Sequence, residues 1–250
     1  MNPAWWIARK ESGEILVNGR GLAWLFALTV IMSVLSLLLV SNTELSLLDN
    51  AQVVYMVMGT ITALGALFAV VLGADAVAGE RERGSLMPLL LTSVTPSEIV
   101  SGKMGGQAAG WTVMYLLGLP YLWAVGSSGQ NLLQAIAYLA LFGTLTVLGF
   151  GFFALGLSAR FKSVRTALLT SLITWMLLAS PLLLGPSLRQ STVGKGFDAA
   201  NPFSASLNAF DSVVIDSQPF AMQTGRLAVA LAWLVLTAWY AVRSVRKMEL

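Results

Sequence analysis

The charged residues that could support chemistry cluster between residues 75 and 103. The run from Glu80 to Arg83 alternates in sign, Asp75 precedes it, and Lys103 follows it. The chain has no histidine and no cysteine, so it lacks the commonest general base and metal ligand, a thiolate nucleophile and any disulfide. It also has no Gly-x-x-x-x-Gly-Lys-Ser/Thr phosphate loop. Much catalytic chemistry is therefore excluded, and an ATPase, if one drives this protein, must be a separate chain.

The elements that position this cluster are predicted to be membrane spans. Apolar residues make up 56% of the 250 residues and charged residues only 11%, whereas a soluble domain carries about 25% charged residues. Long tracts without a charged side chain are typical of helices that cross a hydrocarbon core. The predicted fold is an all-α polytopic membrane protein with six transmembrane helices. The spans are predicted at 22–41, 52–78, 104–125, 131–158, 166–186 and 225–243.

Basic residues predict the orientation of these spans, because lysine and arginine favour the cytoplasmic side of short loops. Placing both termini in the cytoplasm puts twelve of the fifteen basic residues inside. The three outside are Arg189, Lys195 and Arg226. The net charge of +3 is thus interpreted as a signal of how the chain is oriented in the membrane. It does not indicate nucleic-acid binding, since no loop gathers a basic run with interleaved aromatic residues.

The predicted cytoplasmic loop over 79–103 contains a short apolar segment. Gly84 should break the helix that precedes it, and the residues from Leu86 to Leu91 form about two apolar turns, too short to cross a bilayer. Thr95 to Glu98 then forms a capping box with a proline at the first helical position, so the third span should start in the cytoplasm. The apolar segment must be covered either by the protein's own helix ends or by a partner.

The segment over 2–20 is predicted to be an amphipathic helix in the membrane interface. At 100° per residue, Trp5 falls on one side with Ala8 and Ile15, and Lys10 and Glu11 fall on the other. Trp5 would then lie at headgroup depth. A tilted cytoplasmic extension of the first span is the alternative.

Three further features have both a structural and a functional interpretation. Asp75 is predicted to contact a basic residue at the inner surface rather than to translocate a proton or ion. Gly102, Gly106 and Gly110 recur every four residues, which indicates close helix packing within the chain, in a dimer or along a pathway. The outer loop over 187–224 is predicted to form one or two short helices resting at the outer interface.

The loop resembles the membrane subunits of type-2 ABC exporters. The resemblance is carried by the aspartate near the end of the second span, the Glu-Arg pair, the Gly-Ser-Leu run through Leu89-Leu90, the Thr-Pro-Ser-Glu helix start and Gly102-Lys103. It implies that the loop forms a cytoplasmic coupling helix seated in a cleft on an ATPase subunit. The residues implied in docking and coupling are Glu80, Arg81, Glu82, Arg83, Gly84, Ser85, Leu86, Leu89 and Leu90. Those implied on the flanking interfacial helix are Trp5, Arg9, Lys10 and Glu11.

The predicted function is therefore a permease subunit of an ATP-driven ABC transporter in the bacterial cytoplasmic membrane, acting in export. Its expected partners are an ABC ATPase subunit, which would carry ATP and Mg²⁺, a second permease copy or sister permease, and membrane lipids. No cofactor, metal or nucleic acid is expected on this chain. An ATP-independent carrier and an intramembrane lipid-modifying enzyme are the alternatives, but a carrier usually shows charges at mid-span, and an enzyme needs facing polar groups in the bilayer.

Overall fold

The computed structural model describes residues 3–17, 19–41, 50–86, 93–126, 131–180 and 191–248. These residues form helices joined by short connections, with no strand in the described ranges. The α-helices are α1 (Pro3–Val17), α2 (Gly19–Ser41), α3 (Asn50–Asp75), α4 (Ala78–Glu82), α5 (Pro96–Gly126), α6 (Leu132–Tyr138), α7 (Thr144–Arg160), α8 (Val164–Ala179), α9 (Thr192–Ala200), α10 (Pro202–Val214) and α11 (Thr224–Arg246). A π-helical segment, Leu139–Gly143, joins α6 to α7, and a 3₁₀ turn, Phe220–Gln223, precedes α11.

Five helical stretches in the described residues are long and apolar enough to cross a membrane. They are Gly21–Leu38, Ala51–Glu82, Pro96–Gly126, Leu132–Arg160 and Phe220–Arg246. A shorter apolar helix, Val164–Ala179, overlaps the fifth predicted span. That span continues in sequence to residue 186, and 181–190 lie outside the described residues, so the count of six stays a prediction. The all-α polytopic membrane fold is confirmed.

The centre of the bundle is filled by buried aromatic side chains on α3, the π-helical segment and α7. Phe68, Phe142 and Phe150 are each at most 1% exposed. Phe150 packs edge-on against Phe203 with ring centroids 6.4 Å apart, and the ring of Trp233 lies 5.8 Å from that of Phe150. Aromatic pairs at these separations add a favourable geometry to simple burial. The middle of a single copy is therefore densely packed.

The π-helical segment widens the fourth span at the level where α10 packs. Ser206 on α10 donates a hydrogen bond to the carbonyl oxygen of Phe142 at 3.3 Å, and it shares a second one with Thr146. Tyr115 on α5 donates to the carbonyl oxygen of Ile136, just before the segment, at 3.2 Å. A π-bulge leaves carbonyl groups outside the regular helical pattern. Here hydroxyl groups from two neighbouring helices bind near this irregularity.

α10 is buried against the rest of the chain. The segment was expected to rest at the outer interface, and within it Phe203, Leu207 and Phe210 are between 0 and 4% exposed. Asn201 caps α10 by accepting hydrogen bonds from the Phe203 and Ser204 amides, and its side-chain amide donates to the carbonyl oxygen of Leu178 on α8. Small residues along α10 allow the neighbouring helices to approach closely. The short helices expected in this segment are present, and their position relative to the outer interface stays a prediction.

Candidate functional site

The turn that follows α3 and α4 is fixed by its own backbone. α4 ends in a Schellman motif, in which the Gly84 amide donates to the carbonyl oxygen of Arg81 at 3.1 Å and the Ser85 amide donates to that of Glu80 at 2.9 Å. Gly84 has a φ of 71°, a conformation that costs other residues roughly 1–2 kcal/mol. The predicted helix break at Gly84 is confirmed.

A buried serine ties the α3–α4 junction to α7. The Ser158 hydroxyl oxygen accepts hydrogen bonds from the amides of Val77 and Ala78 at 3.1 and 2.8 Å, and it donates to the carbonyl oxygen of Ala74 at 2.7 Å. Ser158 is 0% exposed. One side chain therefore satisfies three backbone groups at the break between α3 and α4.

Two charged residues of α4, Arg81 and Glu82, bind the end of α7 and the start of α8. Arg81 donates to the carbonyl oxygens of Phe161 at 2.8 Å and Ala159 at 3.4 Å. Glu82 accepts a hydrogen bond from the Val164 amide at 2.9 Å. Val164 is the first residue of α8, so this carboxylate satisfies an amide with no partner inside the helix and also faces the positive end of the helix dipole.

Lys103 joins three helices through a buried pair of salt bridges. Its ammonium lies 2.9 Å from Glu11 on α1 and 2.9 Å from Glu80 on α4. The lysine side chain is 2% exposed, against 17% for Glu11 and 11% for Glu80. A buried ammonium is costly unless it is paired. The two carboxylates stabilise its charged form, and the cluster keeps a formal charge of −1.

Asp75 and Arg83 form a more exposed pair on the edge of the same cluster. Their side chains approach to 3.2 Å and are 33% and 51% exposed respectively. Exposed pairs of this kind contribute about 0–1 kcal/mol to stability. The structure thus places Asp75 in contact with a basic residue of the loop.

Glycines on α5 allow α1 to approach closely enough for the Lys103 cluster to form. A Cβ atom added at Gly102 would lie 2.6 Å from the Cβ atom of Ile7, and one added at Gly106 would overlap the Cβ atom of Glu11. A Cβ atom added at Gly110, the third glycine of the series, would lie 2.7 Å from the ring of Phe68 on α3. In this structure the glycine series packs helices of one chain against each other.

The two faces of α1 differ from the expected ones. Glu11 lies on the face that packs against α5, where its carboxylate pairs with Lys103. Trp5 is 65% exposed and Trp6 48% exposed, so Trp5 does not share the buried face with Ile15. Arg9 lies over the Trp6 ring at 5.7 Å, and Lys10 forms a 3.6 Å pair with Glu14 on the exposed side. The exposed face thus carries both aromatic and basic side chains.

The loop residues expected to dock a partner are not equally accessible. Gly84 and Ser85 are exposed, and so are Glu82 and Arg83. Leu86 is 6% exposed and packs in a cluster with Ile99 and Val100, among others. Leu86 is therefore covered by its own chain, which differs from its expected role at a partner surface. Leu89 and Leu90 lie outside the described residues.

The capping box at the start of α5 is confirmed. The Glu98 carboxylate accepts a hydrogen bond from the Thr95 amide at 2.8 Å, and the Glu98 amide donates to the Thr95 hydroxyl at 3.3 Å. α5 begins at Pro96. The loop is thereby bounded by two fixed helix ends, the Schellman motif before it and this capping box after it.

The chain is similar in sequence to known transporter proteins. A family model described as "ABC-2 family transporter protein" matches residues 5–250. The chain belongs to the ABC-2 transporter family. It is also 30% identical over 123 residues to the "Probable ABC transporter permease protein NosY" of Stutzerimonas stutzeri. That match covers 47% of this chain and 43% of NosY, so the chain aligns with less than half the length of this curated relative.

The family match and the long apolar helices together make this chain a multi-pass membrane protein of the ABC-2 transporter family. The charged cluster lies at the ends of its helices rather than in the packed centre described above. The resemblance identified at residues 73–103 and the family match over nearly the whole chain thus lead to the same assignment.

Proposed function

We propose that this chain is the permease subunit of an ATP-driven exporter and that it docks a separate ATPase through the loop over 80–98. In this proposal ATP and Mg²⁺ bind to the ATPase. Nucleotide binding and hydrolysis move the ATPase, and the loop transmits this movement to the chain. Export is the direction that the resemblance to type-2 exporters implies.

The observation that carries this proposal is the anchoring of the exposed turn around Ser85. The residues just before the turn connect it to four other helices. Glu80 binds Lys103 on α5, and Lys103 in turn binds Glu11 on α1. Arg81 binds the end of α7, and Glu82 binds the start of α8. A force applied at the turn would therefore act on several helix ends at once. An exposed turn without these contacts would move alone and would transmit little to the spans.

The proposed location is the bacterial cytoplasmic membrane, with both termini in the cytoplasm. This orientation is supported by the basic residues, because it would put twelve of the fifteen on the cytoplasmic side, which lysine and arginine favour. Arg160 at the end of α7 and Arg243 near the end of α11 lie over the rings of Tyr240 and Trp239, at 4.7 and 5.3 Å. Such pairs of basic and aromatic side chains are typical of a membrane interface.

A second permease copy or a sister permease completes the proposed translocation path. Phe68, Phe142 and Phe150 fill the centre of the bundle, which favours a path between two subunits over one through a single subunit. α8 also exposes Leu169, Ile173 and Met176 at 58 to 62%. These apolar side chains must be covered by lipid or by the other subunit.

The experiment that tests the proposal is co-purification with the ATPase encoded nearest to this chain. Ser85→Trp adds a bulky side chain at the exposed turn, and Ser191→Trp adds the same group at an exposed serine before α9. We expect Ser85→Trp to reduce both ATPase capture and ATP-dependent export, with Ser191→Trp resembling the wild type. Absence of a complex with the wild-type chain in nanodiscs, or equal capture by both variants, would contradict the proposal.

A further inference from the structure

A patch of basic side chains lies where the end of α7 meets the end of α11. Its members are Arg160 of α7, Arg243 near the end of α11 and Lys247, the first residue after α11. All three are exposed, and none of them forms an ion pair with a carboxylate of the described residues. This α7–α11 patch therefore carries three positive charges without a direct acidic partner in the described part of the chain.

Arg160 is oriented by contacts with α11. Its Nε atom donates a hydrogen bond to the Ser244 hydroxyl at 3.1 Å, and its guanidinium lies 4.7 Å from the centre of the Tyr240 ring. Tyr240 in turn stacks on Phe153 of α7, with ring centroids 6.1 Å apart. The two terminal nitrogens of Arg160 have no hydrogen-bond acceptor among the residues that the structure describes. The outer N–H groups of an oriented guanidinium thus stay available, and their spacing matches that of phosphate oxygens.

The patch continues into an exposed apolar face of α11. Val235, Leu236 and Trp239 are between 60 and 64% exposed, and the guanidinium of Arg243 lies 5.3 Å from the centre of the Trp239 ring. Successive members of this series are three or four residues apart, so they share one side of the helix. Because α11 belongs to a stretch that is long and apolar enough to cross a membrane, this side is suited to contact acyl chains. A cation that stacks on an aromatic ring at the end of such a face is typical of headgroup depth.

Charge and position favour an anionic lipid over a protein at this surface. A second copy that packed through the same face would bring like charges together, which is unfavourable. A soluble partner could cover the basic end, but it could not reach the apolar side chains from Val235 to Trp239 within the membrane-spanning stretch. A lipid with a negatively charged headgroup covers both parts of the surface at once.

We propose that the α7–α11 patch binds an anionic phospholipid of the phosphatidylglycerol type. The phosphate accepts hydrogen bonds from the terminal N–H groups of Arg160, and Arg243 and Lys247 attract its negative charge. The acyl chains lie along the exposed face of α11. Basic pockets between the ends of membrane helices are known to bind anionic headgroups. The site is at the same end of the bundle as the loop, because Arg81 binds the carbonyl oxygen of Ala159. Lipid binding there does not depend on an ATPase or on the direction of transport.

The test measures lipid binding to the purified, delipidated full-length chain. Phosphatidylglycerol and phosphatidylcholine with identical acyl chains are added in competition, and bound lipid is counted by native mass spectrometry. Phosphatidylcholine is the matched probe, because it has the same phosphate but its quaternary ammonium cancels the negative charge. We expect a preference of about tenfold for phosphatidylglycerol, which corresponds to about 1.4 kcal/mol. Equal binding of the two lipids by the wild-type chain would overturn the proposal.

Variants locate the binding site. Arg160→Gln and Arg243→Gln should each reduce the preference to about threefold or less, and Arg243→Lys should retain most of it. If Arg160→Gln fails to fold because it disturbs Ser244, the result for Arg243→Gln decides, since among the described residues this exposed side chain contacts the Trp239 ring.

Arg165→Gln is the matched control, because it removes an exposed charge from the first turn of α8, at the same end of the bundle. It should keep the tenfold preference. Equal losses at Arg243 and Arg165 would indicate diffuse attraction by all the basic residues at this end and would overturn the proposal. Loss of ATPase capture by Arg243→Gln with an unchanged lipid preference would also overturn it and would assign the patch to the partner.

Discussion

Replacing Lys103 by methionine tests whether the buried ammonium holds α1, α4 and α5 together. Methionine has a similar length and leaves the surrounding packing largely filled, but Glu11 and Glu80 lose their shared cation. Removing one partner of a buried ion pair costs about 3–5 kcal/mol, because the remaining charge stays desolvated. Since the two carboxylates are 17% and 11% exposed, water can relieve part of this cost, and we expect a loss near 3 kcal/mol.

The assay is unfolding in mixed micelles by increasing fractions of SDS, followed through tryptophan fluorescence. Lys10→Met is the matched control, because Lys10 pairs with Glu14 at 3.6 Å but is 60% exposed; an exposed pair at this spacing contributes about 0.3–0.5 kcal/mol. The double variant of Lys103→Met with Glu80→Gln should be less destabilised than the sum of the two single changes. Coupling energies between residues in contact are about 0.5–3 kcal/mol.

Two results would refute this reasoning. Lys103→Met could unfold at the same SDS fraction as Lys10→Met, which would mean that the ammonium is not buried in the folded chain. Alternatively, the single changes at Lys103 and Glu80 could add without coupling, which would mean that the two side chains do not interact.

Three further predictions follow from the packing. Gly106→Leu should detach α1 from α5 and raise the rate of protease cleavage after Lys10. Gly13→Leu should leave the cleavage rate unchanged, because no atom lies within 4 Å of a Cβ added at Gly13. Asn201→Ala should lower stability by about 1–2 kcal/mol in the same SDS assay, because it removes a buried helix cap and the hydrogen bond to α8. Ser191→Ala, which removes the exposed cap of α9, should lower stability less. Equal losses of stability in the two variants would contradict the burial of α10. In this cysteine-free chain, Thr146→Cys combined with Ser206→Cys should form a disulfide detectable by gel mobility, and pairing Thr146→Cys with Ser217→Cys should not.

Much of the local structure of the loop could be predicted from the sequence. Gly84 and the Thr95 to Glu98 box carry their signals in four or five consecutive residues, because caps are local structures. The spans follow from the lack of charge over about 20 residues. Neither kind of pattern requires knowledge of which helices are neighbours.

The contacts that define the candidate site could not be predicted in this way. Lys103 binds Glu11, which is 92 residues away in sequence, and Ser158 binds a turn about 80 residues away. Nothing distinguishes Ser158 from other serines at the end of an apolar helix. Lys103 did carry a signal, since it is the last charged residue before a charge-free tract that extends to Ala159.

The packed face of α1 and the burial of α10 required tertiary information for a related reason. A helical projection separates polar from apolar residues, but it does not show that Glu11 faces α5, where Lys103 pairs with its carboxylate. In α10 the polar residues Ser204 and Ser206 are buried at 3% and 0% exposure, since neighbouring helices supply hydrogen-bond partners for at least Ser206. The polarity of these residues therefore did not predict their burial within the protein.

The most direct test of the central claim is cross-linking from the exposed turn to the ATPase. A photoreactive maleimide is attached to Ser85→Cys, with Ser191→Cys as the control, because both serines are exposed and the chain has no other cysteine. The account predicts a cross-linked product with the ATPase from position 85 and none from position 191. Failure of position 85 to label an ATPase that co-purifies with the chain would contradict docking through this loop.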